Sequence, residues 1–212
     1  MPQDIFLARA ALHMWEEPCI SGKEGSGTVF FSGCSMKCVF CQNRDIAIGD
    51  IGKKITVERL AEIFLELQQQ GANNINLVTP THHIPAIIEA LRLAKGNGLV
   101  LPIVYNTSGY EKVESLRLLD GLVDIYLPDM KYYSAELSMR YSNAGDYFGV
   151  ASLALAEMVR QTGAPLFEKD LMKRGVIVRH MILPGNTRDS KKILDYLLQT
   201  YGNQPTWPMC DY

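Results

Sequence analysis

Three of the five cysteines of the chain stand close together in sequence. Cys34, Cys38 and Cys41 have the spacing C-x3-C-x2-C, so their thiols belong to one short loop. Iron–sulfur clusters select thiolate sulfur and are usually held by four cysteines. This loop supplies three ligands, whereas Cys19 and Cys210 lie far away in sequence. The pattern therefore predicts a cluster with one iron left open to a substrate or cofactor.

A zinc site and a set of free thiols are the alternatives to a cluster. A structural zinc site needs four ligands, usually with a second pair at its own short spacing, and the sequence has no such pair. A catalytic zinc bound by three cysteines stays open, although its ligands would more typically come from separated segments. Free thiols that pack as small apolar groups are disfavoured by the closeness of these three. We favour the iron–sulfur cluster.

Composition and charge restrict the class of protein. The 212 residues are 47% hydrophobic and 21% charged, which is ordinary for a globular domain. The formal charge is −2 without a long basic run, so we expect no nucleic-acid partner. No apolar segment reaches the roughly 18 residues of a membrane span, and the N-terminus lacks the features of a secretion signal. With clustered cysteines, this indicates a cytoplasmic protein without a membrane partner.

Apolar runs that alternate with helical patterns predict an α/β fold with a parallel sheet. The strands are mostly continuous in their apolar character, which is typical of strands buried on both faces. They are predicted at residues 28–32, 74–79, 101–105, 123–127 and 176–183. A short helical pattern at residues 134–141 is predicted as an insertion before a longer helix. The domain organisation is predicted as an N-terminal extension at 1–27, a barrel domain at 28–202 and a C-terminal tail at 203–212.

Polar residues concentrate in the segments that directly follow these strands. In parallel α/β barrels, such loops all lie on one rim at the carboxyl ends of the strands, where active sites form. The loops occupy residues 33–43, 80–83, 106–109, 128–131 and 184–187. Strand direction alone therefore predicts that the cysteine loop and four polar loops converge.

The cysteine loop resembles the signature of the radical S-adenosylmethionine (SAM) enzymes. That signature is C-x3-C-x-aromatic-C, and Phe40 supplies the aromatic residue before Cys41. The run from Glu17 to Asn43 is similar to proteins related to pyruvate formate-lyase-activating enzyme, and the similarity extends through Thr187. It implies a partial (β/α) barrel of five to six βα units and a [4Fe-4S] cluster on the three cysteines. SAM would bind the fourth iron and be cleaved reductively to methionine and a 5′-deoxyadenosyl radical that abstracts hydrogen.

The resemblance assigns several residues to SAM binding. Phe40 takes the position of an aromatic residue against adenine, with a simple core contact as the alternative. Where most members carry a Gly-Gly-Glu-like run for the SAM amino group, this chain offers Thr81 or His82. Asn106 and Ser108 match a run that contributes to the SAM site and to a nearby monovalent cation. Asn106 replaces a carboxylate there, which weakens the implied cation binding.

Further residues come from the last two strand-end segments. Asp129 and Lys131 match an Asp-x-Lys sequence after the fourth strand, and we predict catalytic roles for both. Arg179 and His180 match an arginine-bearing fifth strand, with Arg179 suited to a carboxylate. We predict a catalytic role for Arg179 as well, and cofactor binding by Asp129, Arg179 and His180. Two alternatives stay open: Asp129 caps the following turn, and Arg179 pairs with a structural aspartate.

The resemblance also implies partners. A reduced flavodoxin- or ferredoxin-like protein would donate the electron, and a glycyl-radical protein would be the target of the radical. An enzyme that acts on a small molecule is the nearest rival, and an iron–sulfur electron-transfer protein without SAM chemistry is the alternative from another class. A sixth strand is expected after Gly202, but residues 203–212 are few and include two prolines. We therefore expect a barrel that is open or incomplete on that side.

Overall fold

The computed structural model describes residues 4–202 and, by their backbone, residues 207–211. Its described part contains nine strands in one sheet. They are β1 (Ile5–His13), β2 (Ser26–Phe31), β3 (Lys53–Ile55), β4 (Ile75–Val78), β5 (Ile103–Thr107), β6 (Ile125–Pro128), β7 (Leu166–Glu168), β8 (Leu171–Met181) and β9 (Trp207–Asp211). The helices are α1 (Pro18–Ser21), α2 (Arg44–Ala47), α3 (Val57–Gln69), α4 (Ile84–Gly96), α5 (Val113–Arg117), α6 (Ala135–Ser142), α7 (Tyr147–Thr162) and α8 (Thr187–Tyr201), with a 3-10 turn at Thr81–His83. None of these helices is both long and apolar enough to span a membrane.

The parallel part of the sheet has the order β2-β4-β5-β6-β8-β9. Two antiparallel strands, β1 and then β3, extend it beyond β2, and β7 pairs antiparallel with the start of β8. Within the described residues the sheet does not close, because β3 and β9 each pair with one strand. The predicted α/β partial barrel is confirmed, and the five predicted strands correspond to β2, β4, β5, β6 and β8.

The sixth parallel strand is formed by residues that the sequence analysis treated as a tail. The backbone of β9 pairs with β8 from Ile177 to Met181. Pro208 lies within β9, which an edge strand tolerates because a missing N–H on the outer side breaks no ladder bond. The barrel therefore has six parallel strands and is open beyond the last of them.

Alternation of side chains along the strands creates two apolar faces. One face is covered by helices; for example, Ile103 and Tyr105 of β5 belong to the large core that contains residues of α3, α4 and α7. Val104, between them, belongs to a smaller cluster on the opposite face.

Thr56 begins α3 by accepting a hydrogen bond from the backbone N–H of Arg59, as N-cap residues do.

Residues before β2 cover this opposite, inner face. Ile20 of α1 is 1% exposed and packs in the smaller cluster. Its neighbours there are Val104, Ile125, Leu127, Met172 and Ile177. The Asn74 side-chain amide donates to the Ile20 carbonyl over 2.8 Å, which fixes this segment below the strands. The segment called an N-terminal extension thus packs as part of the barrel.

Truncation of Ile20 tests this packing. Ile20→Ala removes buried apolar volume, so we expect a loss of about 2–5 kcal/mol in the free energy of unfolding. Leu198→Ala deletes the same number of carbons from a side chain that is 70% exposed on α8, and we expect a change within about 0.5 kcal/mol. Urea unfolding of both variants gives the comparison. Equal losses in the free energy of unfolding for the two variants would mean that Ile20 is not part of the apolar core.

Candidate active site at the strand ends

The cysteine loop follows β2 and lies at the carboxyl end of the parallel strands. Cys34, Cys38 and Cys41 are partly buried free thiols. All three line a cavity of about 450 Å³, together with Lys37 and His82 among others. The predicted ligand triad is therefore brought to one cavity.

The C-terminal end of α6 holds this loop in place. The Val39 amide donates to the Tyr141 carbonyl over 2.9 Å, and the Lys37 amide donates to the Ser142 carbonyl over 3.3 Å. These carbonyls belong to the last turn of the helix, where intrahelical donors are lacking. The loop uses them as acceptors, so the helix inserted between β6 and α7 sets the position of the cysteines.

The cavity fits a group larger than a single metal ion. In the part of the chain that the structure describes, no three His, Cys, Asp or Glu side chains converge as they would on one ion. The three cysteines instead line a cavity of about 450 Å³, which has room for a cluster with a separate iron for each ligand. Burial raises the pKa of Cys34; a hydrogen bond from the Met36 backbone opposes this, and the positive charge of Lys131 does so to a smaller extent. Because metal ligands must be thiolates, a nearby cation favours the ligating form.

A charged network lies beside the cysteines at the ends of β5, β6 and β8. Asp129 Oδ1 accepts a hydrogen bond from Arg179 Nε over 3.0 Å, and Asp129 Oδ2 accepts one from Lys131 Nζ. Arg179 Nη2 also donates to the side-chain oxygen of Asn106 over 2.7 Å. The three charged side chains are 15–20% exposed. Four of the predicted site residues therefore form one network.

Opposite charges keep this network ionised. Burial disfavours the Asp129 carboxylate, but Arg179 and Lys131 outweigh it and lower the pKa of Asp129 below its usual range. Burial also disfavours the Lys131 ammonium, but Asp129 raises the pKa of Lys131 above its usual range. A negative charge on Cys38 in its thiolate form acts in the same direction. Lys131 thus connects the network electrostatically to the cysteine loop.

Two acidic residues approach Arg179 from the N-terminal segment. Glu16 Oε2 and Glu17 Oε1 lie 3.9 and 3.8 Å from Arg179 Nη1. Glu17 is 6% exposed. Arg179 is therefore faced by three carboxylates, and the pairing with an aspartate that the sequence left open is present. Both oxygens of Asp129 are engaged by basic side chains, so the implied cation stays a prediction.

The hydroxyl of Tyr147 joins the β5 and β6 loops. It lies 2.8 Å from both the Ser108 and Asp129 carbonyls, and it accepts the Lys131 amide over 3.0 Å. Tyr147 is fully buried at the start of α7. Sequence reasoning missed this residue because its partners are 16 to 39 positions away in the chain.

A buried glutamate joins the β4 and β5 loops. Glu111 is 1% exposed, and its Oε1 accepts hydrogen bonds from Thr81 and Thr107, each over 2.6 Å. Tyr105 adds a third over 3.3 Å. Burial raises the pKa of Glu111, although these hydroxyls oppose the shift. Its place two residues after Gly109, in a polar loop, was the available signal for it.

The remaining predicted site residues differ in whether they lie at the cysteine cavity. His82 lines the cysteine cavity, whereas the Thr81 hydroxyl is directed to Glu111. Phe40 packs partly buried with its ring centroid 6.5 Å from that of Tyr132. His180 is buried, with Nδ1 2.6 Å from the Met130 carbonyl, and strand alternation places it on the face opposite Arg179. The structure does not bring His180 to the site; the roles of the others stay predictions.

An open parallel barrel with three cysteines in the loop after its first parallel strand defines an α/β barrel protein with a candidate metal-ligand loop at its carboxyl rim. The family model described as the radical SAM superfamily matches residues 28–197. The chain therefore belongs to the radical SAM superfamily.

Two curated relatives come from Methanocaldococcus jannaschii. An uncharacterized protein is 30% identical over 220 residues, which covers 99% of this chain and 59% of the relative. A putative glycyl-radical enzyme activating enzyme is 32% identical over 111 residues, covering 51% of this chain and 44% of the relative. The chain thus spans roughly half the length of the curated relatives it matches.

Two solved structures share the fold. Methylornithine synthase has a TM-score of 0.56 at 20% identity, over 86% of this chain and 52% of that one. The AdoMet-bound protein anSMEcpe has a TM-score of 0.56 at 12% identity, over 84% of this chain and 49% of that one. These similarities support the partial barrel.

Gly109 permits the contact between the β5 and β6 loops. Its φ is +79°, and a Cβ there would lie 2.2 Å from the Asp129 carbonyl oxygen. Gly121 has a similar φ of +76° with nothing within 4 Å of its Cβ position. We expect Gly121→Ala to cost about 1–2 kcal/mol from the backbone alone, and Gly109→Ala to cost at least about 2 kcal/mol more. Thermal unfolding measures both; equal costs would contradict a required close approach.

Asp129→Asn tests the charged network through pH. Because the pKa of Asp129 is lowered on folding, its carboxylate stabilises the protein above the usual carboxyl range near about pH 4. This stabilisation is lost as the pH falls through the lowered pKa. We expect Asp129→Asn to cost about 3 kcal/mol near neutral pH, with the gap to the wild type narrowing on acidification. Thermal unfolding at several pH values measures this difference in stability between the wild type and Asp129→Asn. Asp50→Asn, at an exposed position, is the control. A gap independent of pH would contradict the assignment.

Proposed function

We propose that this protein binds a [4Fe-4S] cluster through Cys34, Cys38 and Cys41 and cleaves SAM reductively to start radical chemistry. The carrying observation is the convergence of these thiols on one cavity at the carboxyl rim of a radical SAM barrel. When bound, the cluster supplies the electron that cleaves SAM to methionine and a 5′-deoxyadenosyl radical. The reaction class is then hydrogen abstraction from a substrate.

The chain's own residues bind and orient in this proposal. Lys131 places a positive charge near the thiolates and offsets their negative charge. Asn106 and Arg179, fixed by Asp129, offer polar groups for the amino-acid part of SAM at the next strand ends. His82 at the cavity edge is suited to hydrogen-bond the SAM amino group, and Phe40 to contact adenine. The Phe40 ring lies 6.5 Å from that of Tyr132, measured between centroids.

A glycyl-radical protein is the target that we favour. The support is the partial relative named as a putative glycyl-radical enzyme activating enzyme, which matches 51% of this chain. We propose a reduced flavodoxin- or ferredoxin-like donor and the cytoplasm as the compartment, since a reducing environment preserves the thiols. Electron paramagnetic resonance of a glycyl-radical protein incubated with this protein, SAM and reductant tests the target.

The second class of function is electron transfer without SAM chemistry. Both classes require the cluster, so cluster assembly alone does not separate them. SAM cleavage separates them, because an electron carrier with a fully ligated cluster offers SAM no open iron.

Cys41→Ala tests the ligand assignment. After anaerobic reconstitution, we expect the wild type to contain iron and sulfide and, with dithionite and SAM, to form 5′-deoxyadenosine and methionine. Cys41→Ala removes one of three ligands, so both the intact cluster and cleavage should fall at least tenfold. Cys19→Ala is the matched control, because Cys19 packs with the inner apolar cluster. We expect it to retain both.

Two results would contradict the proposal. A wild-type-like cluster in Cys41→Ala would overturn the ligand set. An assembled wild-type cluster with neither SAM binding nor SAM cleavage would favour the electron carrier.

A further inference from the structure

Ser142 makes a hydrogen bond that the proposed function leaves unexplained. It is the last residue of α6 and is 1% exposed. A serine in a helix commonly donates to the carbonyl four residues earlier. Here Ser142 Oγ donates to the sulfur of Cys38 over 3.0 Å. A buried hydroxyl is therefore directed at a predicted cluster ligand.

Tyr132 orients this hydroxyl. Its phenol oxygen lies 2.7 Å from Ser142 Oγ, and the residue is 1% exposed. A thiolate has no proton, so when Cys38 is a ligand the Ser142 hydrogen must point to sulfur. Tyr132 is then the donor to Ser142. Burial raises the pKa of Tyr132, which keeps the phenol protonated as that donor.

The relay Tyr132–Ser142–Cys38 is held rigidly. The Tyr132 ring meets that of Tyr147 edge-on at 5.5 Å between centroids, and the Ser142 carbonyl accepts the Lys37 amide. Among the residues that the structure describes, Cys34 and Cys41 have no comparable hydroxyl donor. Cys38 thus differs from the other two predicted ligands in accepting a hydrogen bond from a hydroxyl group.

We propose that Ser142, oriented by Tyr132, is a positioning residue that raises the reduction potential of the cluster through Cys38. The inference rests on the proposed function, since it needs the cluster. One-electron reduction adds negative charge that is shared with the ligand sulfurs, and a donor to sulfur stabilises that charge. Hydrogen bonds to the sulfurs are among the determinants of iron–sulfur potentials. The relay makes the first electron easier to accept.

Ser142→Ala tests the relay by its midpoint potential. The reconstituted protein is titrated with dithionite without SAM, and the reduced cluster is followed by electron paramagnetic resonance. We expect a shift to more negative potential in Ser142→Ala. Ser142→Thr keeps a hydroxyl and should stay near the wild type, and Tyr132→Phe should shift in the same direction by less.

Ser138→Ala is the matched control. Ser138 lies one turn earlier on α6, is also 1% exposed, and its hydroxyl donates to the Ala135 carbonyl. The same chemical change there should leave the potential at the wild-type value.

The outcomes separate the two proposals. A wild type without iron and sulfide would overturn the proposed function, and this inference with it. With a cluster present, equal potentials for Ser142→Ala and Ser138→Ala would overturn the relay alone. If Ser142→Ala holds no cluster, Tyr132→Phe decides: a negative shift supports the relay, and an unchanged potential overturns it.

Discussion

The arrangement of the strand ends depends on one carboxylate held between two cations. Asp129 closes β6, contacts Lys131 in its own loop and Arg179 on β8, and reaches Asn106 on β5 through Arg179. Removing such charges from water costs several kcal/mol per ion, which close pairing must offset. The network is therefore weak as a source of stability. What the network determines is geometry: it fixes the positions of the ends of β5, β6 and β8 relative to one another.

Hydrogen bonds made by hydroxyl groups complete that arrangement. The Tyr147 hydroxyl joins the loops after β5 and β6, and Glu111 joins those after β4 and β5. Each cross-link acts between neighbouring loops, so the rim is connected from β4 to β8. Preorganised polar groups of this kind need not be reordered when a ligand binds.

The sequence predicted what local pattern and strand direction determine. Continuous apolar runs located five parallel strands, and spacing located the cysteines. The sixth strand was expected after Gly202 but could not be located within 203–212, because an edge strand with proline has a weak pattern. His180 was assigned beside Arg179, although period-two alternation already separates neighbours on a strand. Ser142 could not be found, since Cys38 becomes its neighbour only after the inserted helix packs on the cysteine loop. Tyr147 could not be found either, since the loops that it joins approach each other only in the folded sheet.

The placement of α1 on the inner face has a consequence for any reactive species formed at the rim. Ile20 and its apolar neighbours give the barrel a floor built from the chain's own N-terminal segment. Apolar packing excludes water from below, and exclusion of water suppresses side reactions of reactive intermediates. The segment around α1 therefore insulates as well as packs, and chemistry at the strand ends would have an apolar base beneath it.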